Sequence, residues 1–279
     1  MGLVYYYCGA KAFENITKNK QLWLSDVTQS NDKDELIWYA EIIKKHFDDL
    51  FDKVLSIRGN FDNIKSRMYF KSQIKTILMQ NICFGMCFSE LGDDLSQWRG
   101  YGDDGMGYAI GFDEDIIKTL AINKCLTYKK VLYRDNWDIT QEEKEKDKER
   151  INKIFSKLDK DCGIWLDLRK YYNYEIKRIL PTVAYYKNSA FKAEREHRLY
   201  LFDKKVNAYS RDDLAIHFSP SGFIPHLEIN FDKELPLIKE IIIGPTNSGN
   251  IEALQQYCNK IFDYRVIVKE SSLHYKGKN

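Results

Sequence analysis

Lys187-Asn188-Ser189-Ala190-Phe191-Lys192-Ala193-Glu194-Arg195-Glu196-His197-Arg198-Leu199-Tyr200 concentrates ionisable groups immediately before an apolar run. Read as extended chain from Glu194, its period of two puts Glu194, Glu196, Arg198 and Tyr200 on one face, and Arg195, His197 and Leu199 on the other. Two carboxylates and a guanidinium then lie side by side. Such a trio either forms a solvated ladder of charge on an edge strand or lines a cleft. In a cleft, the arginine offsets the repulsion between the acids and sets their pKa values. On either reading, Val183–Tyr186 is a strand entering the stretch after Pro181, and Arg198–Phe202 a strand leaving it.

Outward from this stretch, the chain supplies ample material for a core. It has 279 residues, 44% of them hydrophobic, enough for one large domain or two small ones. No run approaches the length of a membrane span, and Met1 to Tyr7 lacks a basic segment followed by a long apolar one. The expectation is a soluble, non-secreted, cytoplasmic protein with no membrane partner. Cys8, Cys83, Cys87, Cys125, Cys162 and Cys258 show no paired two-residue spacing, so they read as reduced thiols, with no metal site implied. A formal net charge of +2 is too small for the basic footprint of a dedicated nucleic-acid binder.

Upstream, Val4–Tyr7 reads as an aromatic strand, Phe13 and Ile16 as a short helix after Gly9, and Leu22-Trp23-Leu24 as a second strand. A polar loop from Ser25 to Glu35 follows. Asn31 or Asp32 suits an N-cap, with Asp34 and Glu35 at the positive end of the helix dipole. The apolar spacing predicts a helix from Leu36 to Val54 and another from Phe61 to Met79. Ile82–Ser89 is apolar nearly throughout, as in a strand buried on both faces. The glycine-rich run Asp94–Gly107 carries Trp98, Arg99 and Tyr101. Its backbone can approach a ligand closely while the aromatics stack on a flat ring, or it can plug its own core.

Tyr108–Phe112 reads as a strand, Asp113 as the cap of a helix through Leu120, and Leu126–Tyr133 as a strand. Asp138–Lys160 is a charged helix of alternating sign and Ile164–Ile179 an amphipathic one; such charge runs are solvated faces. Near the end, Ile238–Ile243 before Gly244-Pro245, a helix over Ile251–Phe262 and a strand over Tyr264–Val268 form a β-α-β unit. Neither a multi-glycine dinucleotide fingerprint nor a lysine-bearing phosphate loop is present. The expected organisation is one α+β domain over residues 1–279, with a mainly helical insertion at about 138–180.

Four pieces match one pattern in order: Val4–Tyr7 with Leu22–Ser25 and Asn31-Asp32-Lys33-Asp34-Glu35; Cys87–Ser89 with Gln97–Tyr101 and Gly107–Asp113; Lys187, Phe191, Glu194, Glu196 and Arg198; and Glu240–Pro245. The arrangement resembles the bacterial family called domain of unknown function 2971. It departs from the family in having Lys33-Asp34 where Pro-Phe is usual and Phe191 where tryptophan is usual. The opening elements of that family look like those of ADP-ribosyltransferases, particularly the DNA-modifying toxin type. The resemblance implies a split mixed β-sheet core and a glycosyltransferase that consumes NAD as a substrate. The acceptor would be a protein or nucleic acid, in an effector or toxin of anti-phage defence with a neutralising or defence-system partner. It further implies Glu194 or Glu196 as the catalytic acid and Tyr7 at the nicotinamide end. Tyr5, Ser25, Asn31, Trp98, Arg99, Tyr101 and Arg198 would be the binding residues, with Arg198 holding a diphosphate or keeping the acid ionised. Two other expectations stand beside it. One is a nucleotide-sensing or protein-interaction module without turnover. The other is a metal-dependent nuclease using Asp94, Glu194 and Glu196 as magnesium ligands.

Overall fold

The computed structural model describes residues 2–27, 80–135, 180–219 and 222–277, together with Thr76 and Glu149. The helices expected over 36–54 and 61–79, the insertion at about 138–180 and the loop residue Asn31 otherwise lie outside the described residues. The chain divides into two compact units. One comprises Met1–Asp32, Asn81–Val131 and Ala190–Asn279; the other comprises Lys33–Gln80 and Leu132–Ser189.

The first unit is built on a ten-stranded sheet. Its strands are β1 (Leu3–Cys8), β2 (Gln21–Asp26), β3 (Asn81–Ser89), β4 (Tyr108–Asp113), β5 (Thr127–Lys130), β8 (Glu196–Lys204), β9 (Leu214–Ser219), β10 (Gly222–Asn230), β11 (Ile238–Ile243) and β12 (Ile267–Glu270). The main path runs β12-β11-β4-β1-β3-β2-β10-β9, with β8 on the other edge of β3 and β5 beyond it. All ladders are antiparallel except β11–β12, which is parallel and is bridged by helix α5 (Ile251–Ile261). This gives an α+β fold with a large, mostly antiparallel sheet.

Strand β3 organises the molecule. β8 pairs with it over its whole length, from Asn81↔Lys204 to Ser89↔Glu196. On its other edge β1 joins at Tyr5↔Ser89, whereas β2 joins at Ser25↔Gly85 and Asp26↔Phe84. Met86 to Phe88 lie between the two junctions, so β1 and β2 diverge there and the sheet splits. Helix α1 (Ala10–Asn19) connects the diverging strands. It starts after Gly9 and ends where Lys20 turns left-handed at φ 57°, which lets the chain double back into β2.

The larger core lies on one face, where Phe84, Phe88, Ile110, Phe112 and Leu199 pack with Phe13 and Ile16 of α1 and with Ile117 of α3 (Glu114–Asn123). A smaller cluster of Tyr7, Trp98, Ala109 and Ile242 is separate from it. Asp113 caps α3 by accepting from the amides of Asp115 and Ile116, as its position before the helix predicts.

The Asp94–Gly107 run, read as a loop, instead forms helix α2 (Leu95–Tyr101) and a 3-10 turn at Asp103–Gly105. Asp94 nucleates α2 by accepting from the amides of Ser96 and Gln97. Gly107 is required by proximity, since a Cβ there would lie 2.2 Å from the Cys8 carbonyl oxygen. Short helix α4 (Lys205–Ala208) follows β8. Among the described residues of the second unit, β6 (Leu132–Tyr133) pairs in parallel with β7 (Tyr186–Lys187). The strand expected at Val183–Tyr186 is mostly a 3-10 helix, Leu180–Tyr185, whose second residue is Pro181. Proline's fixed φ suits the start of a helical turn.

Candidate functional site

A cavity of about 850 Å³ opens at the split between β1 and β2. Tyr6 of β1 and Met86 of β3 contribute beside the divergence, Ser25 and Trp23 come from β2, and His217 and Ile224 from β9 and β10. Gly9 to Ala12 bring the start of α1, with the exposed side chain of Lys11, and α2 supplies Arg99 and Tyr101. Asp103 and Asp104 complete the lining in consecutive left-handed conformations, φ 52° and 50°. Both signs of charge therefore face one space.

The ladder registers show which residues share a sheet face. Residues directly opposite in an antiparallel pair project to the same face, as do residues two apart on one strand. Tyr5, Ser89 and Glu196 form one row across β1, β3 and β8. Arg198 lies opposite Cys87, and the next row runs His226, Ser25, Gly85, Tyr200 across β10, β2, β3 and β8. One face thus carries Tyr5, Ser25, Glu196 and Arg198, four of the residues singled out from sequence. Trp23, opposite Glu228, and His217, opposite Ile224, share that face on β2 and β9.

Ser25, Arg99 and Tyr101 line the cavity. Tyr7 and Trp98 do not: they are 5% and 0% exposed and pack edge to face with ring centroids 4.8 Å apart. The Tyr7 hydroxyl donates to the Leu91 carbonyl at 2.8 Å and accepts from the Asp94 amide at 3.0 Å. Burial, the largest influence, pushes its pKa far up, so it stays a neutral phenol. Trp98 Nε1 donates to Asp93 Oδ1 at 2.8 Å. The stacking surface expected of Trp98 is thus enclosed, because α2 folds its indole inward. Tyr5 is tied away by a 2.8 Å hydrogen bond to Glu240 Oε1.

The acidic stretch also differs from its reading as one strand. Arg195 is left-handed at φ 46°, so the strand begins at Glu196 and Glu194 ends a 3-10 turn, Ser189–Glu194. The two carboxylates separate as a result. Glu194 is partly buried; its carbonyl accepts from Ser89 Oγ at 2.8 Å, and its Oε1 lies 3.4 Å from the Tyr101 hydroxyl. That contact connects it to the cavity wall. Glu196 accepts from Arg198 through both oxygens, Nε to Oε1 at 2.5 Å and Nη2 to Oε2 at 3.0 Å, with the side chains only 6% and 3% exposed. His197, read as lying on the face opposite the acids, does face away from them and is buried, with Tyr128 Oη at 2.9 Å and Glu90 Oε1 at 3.0 Å. Hydrogen bonds from Lys130 and then His197 hold Glu90 below the usual carboxylate range.

Reading the sequence missed Lys11, Trp23, His217 and His226. The β9–β10 hairpin was not anticipated, so its histidines had no face to share. The available signal was alternation: Ala215 and His217 fall on one side of an extended run, Ile216 and Phe218 on the other. No group of three or more metal-ligating side chains occurs among the described residues.

The fold and site define an α+β protein with a mixed-charge, ring-lined cavity at a split in its sheet. Residues 97–199 match the family model described as protein of unknown function (DUF2971). That span runs from α2 into β8 and includes Trp98–Tyr101 and Glu194–Arg198, while β1, β2 and β11 fall outside it. No curated protein and no solved structure matches the chain. Among the described residues, no helix is long and apolar enough to cross a membrane. Cys8, Cys125 and Cys258 are free thiols.

Proposed function

We propose that the cavity binds NAD and that the protein transfers ADP-ribose from it to a protein or nucleic-acid acceptor, or to water. The observation that carries this reading is the combination of charge and rings at the split. NAD has an anionic diphosphate and a cationic nicotinamide ring. Lys11 and Arg99 suit the first, Asp103 and Asp104 the second, and the indole of Trp23 suits stacking by a base. Divergence of two strands beside a short helix is also what the ADP-ribosyltransferase resemblance implies.

Loss of nicotinamide leaves positive charge on the ribose, which a carboxylate in a partly dry site stabilises. Glu194 is the better placed acid, since it reaches cavity-lining Tyr101. Glu196 is matched to Arg198 within β8. The mutual pairing of Glu196 and Arg198 also favours a second reading, nucleotide binding without turnover. Metal-dependent cleavage of nucleic acid has less support, because Asp94 serves the α2 amides and Glu196 serves Arg198.

Nicotinamide release from NAD by the purified chain, with cell extract supplying acceptors, tests the proposal. Release by the wild type should fall by about 10²–10³ in kcat for Glu194→Gln, the range for losing one group that stabilises transition-state charge. Binding of NAD with no release by the wild type supports the second reading. Neither binding nor release removes both.

A further inference from the structure

Three side chains on one sheet face form a chain that ends at the cavity. Glu228 and His226 belong to β10, and His217 lies on β9 diagonally across from His226. Gln21 Nε2 donates to Glu228 Oε2 at 3.3 Å, steadying the carboxylate. Glu228 Oε1 is 3.7 Å from His226 Nε2, and His226 Nδ1 is 3.4 Å from His217 Nδ1. His226 is 2% exposed, enclosed between Trp23, at 4.3 Å between ring centroids, and His217, at 5.2 Å. Its Nε2 has no hydrogen-bond partner among the described residues. His217 is half-buried and lines the cavity.

His226 Nδ1 lies 3.4 Å from His217 Nδ1 and 3.5 Å from the Ile224 carbonyl oxygen, and the shorter contact together with Glu228 favours one proton arrangement. Two imidazole nitrogens in hydrogen-bond contact need one N–H and one lone pair between them. A lone pair on His226 Nε2 would face the Glu228 carboxylate, an unfavourable approach, so that nitrogen carries the proton. His226 Nδ1 then accepts from His217 Nδ1–H, and the lone pair of His217 is left on Nε2.

We propose that His217 is the general base of the cavity, taking the acceptor's proton on Nε2, with His226 and Glu228 as positioning residues that fix its tautomer. This inference rests on the transferase reading. As the bond between C1′ of the ribose and nicotinamide breaks, its electron pair returns to nicotinamide, which leaves neutral. A lone pair of the acceptor's O–H or N–H forms the new bond to C1′. The released proton passes to His217 Nε2 and then to solvent.

The groups around His217 keep it competent at neutral pH. Burial first, then the neighbouring His226 and the Lys11 ammonium, hold its pKa below the ordinary imidazole range; burial does the same for His226. Glu228, Arg99, Asp103 and Asp104 are the other charged groups facing this region. The base is therefore unprotonated at pH 7 and is lost as pH falls through its lowered pKa.

The test measures nicotinamide release and acceptor labelling on the full chain between about pH 5 and about pH 9. His217→Gln should lower kcat by about 10²-fold or more, the usual contribution of a general base, and abolish the acid limb of the pH–rate profile. The KM for NAD should change by less than about threefold, since truncating a base spares ground-state binding. Glu228→Gln should displace the acid limb without abolishing it. Nitrogen NMR of the wild-type imidazoles gives a readout independent of variants, and His217 protonated on Nδ1 is expected. An active wild type whose acid limb survives in His217→Gln, or a His217 protonated on Nε2, overturns the relay alone. A wild type that neither labels an acceptor nor releases nicotinamide overturns the transferase reading and the relay with it.

Discussion

Arg195 decides how the acidic stretch is used. Its left-handed backbone ends the 3-10 turn and starts β8, so Glu194 and Glu196, adjacent on one face of an ideal strand, acquire different environments. Any side chain with a Cβ, Arg195 included, bears roughly 1–2 kcal/mol at such a φ, and a β-branched one crowds further, whereas glycine has no Cβ to clash. Arg195→Val should therefore destabilise in urea unfolding, and Arg195→Gly should be neutral or stabilising by up to about 1 kcal/mol. The Glu196–Arg198 pair makes a stronger demand, since both side chains are nearly fully buried. Removing one partner, as in Arg198→Met, leaves a carboxylate in a poor solvent and should cost about 3–5 kcal/mol. Equal stability of Arg198→Met and wild type would show that the pair is hydrated in solution.

At the scale of elements, α2 depends on two aspartates. Asp94 caps it, and Asp93 anchors its indole while accepting from Ser271 Oγ and from the amide of Ser272. Burial alone would raise the Asp93 pKa, but the hydrogen bonds from Ser271, Trp98 and Ser272 outweigh it and hold the carboxyl below its usual value. A depressed folded-state pKa contributes stability that is present above the unfolded pKa and lost as pH falls through the folded one. Thermal unfolding between about pH 6 and about pH 2 should therefore show a decline in Tm on the acid side that is shallower in Asp93→Asn.

The strands around this helix were legible where they are apolar and continuous. Val4–Tyr7, Leu22–Leu24, Ile82–Ser89, Tyr108–Phe112 and Ile238–Ile243 all fall within observed strands. The β9–β10 hairpin was hidden by exposed Ile216, Phe218 and Phe223 and by Pro225, which argues against a central strand. Pro225 pairs with Ile216 on β9, whereas the β2 ladder begins only at His226, so its missing N–H is tolerated. Helix α2 escaped because three glycines follow its indole within a few residues, and packing of Trp98 against Tyr7 together with the Asp94 cap favours helix over loop.

For the molecule as a whole, the split in the sheet turns these separate features into a site. It brings Ser25 and His217 to one cavity with Arg99 and Tyr101 of α2, residues that sequence spacing alone cannot bring together. The acceptor-facing chemistry depends on whether that space holds a dinucleotide, so direct binding is the decisive quantity. Calorimetric titration of NAD into the wild type and into Lys11→Ala/Arg99→Ala measures it. Saturable binding weakened at least about tenfold in the double variant, equivalent to about 1.4 kcal/mol, is the expected result. Absence of binding to the wild type, or equal affinity in both proteins, would contradict the assignment of this cavity to NAD.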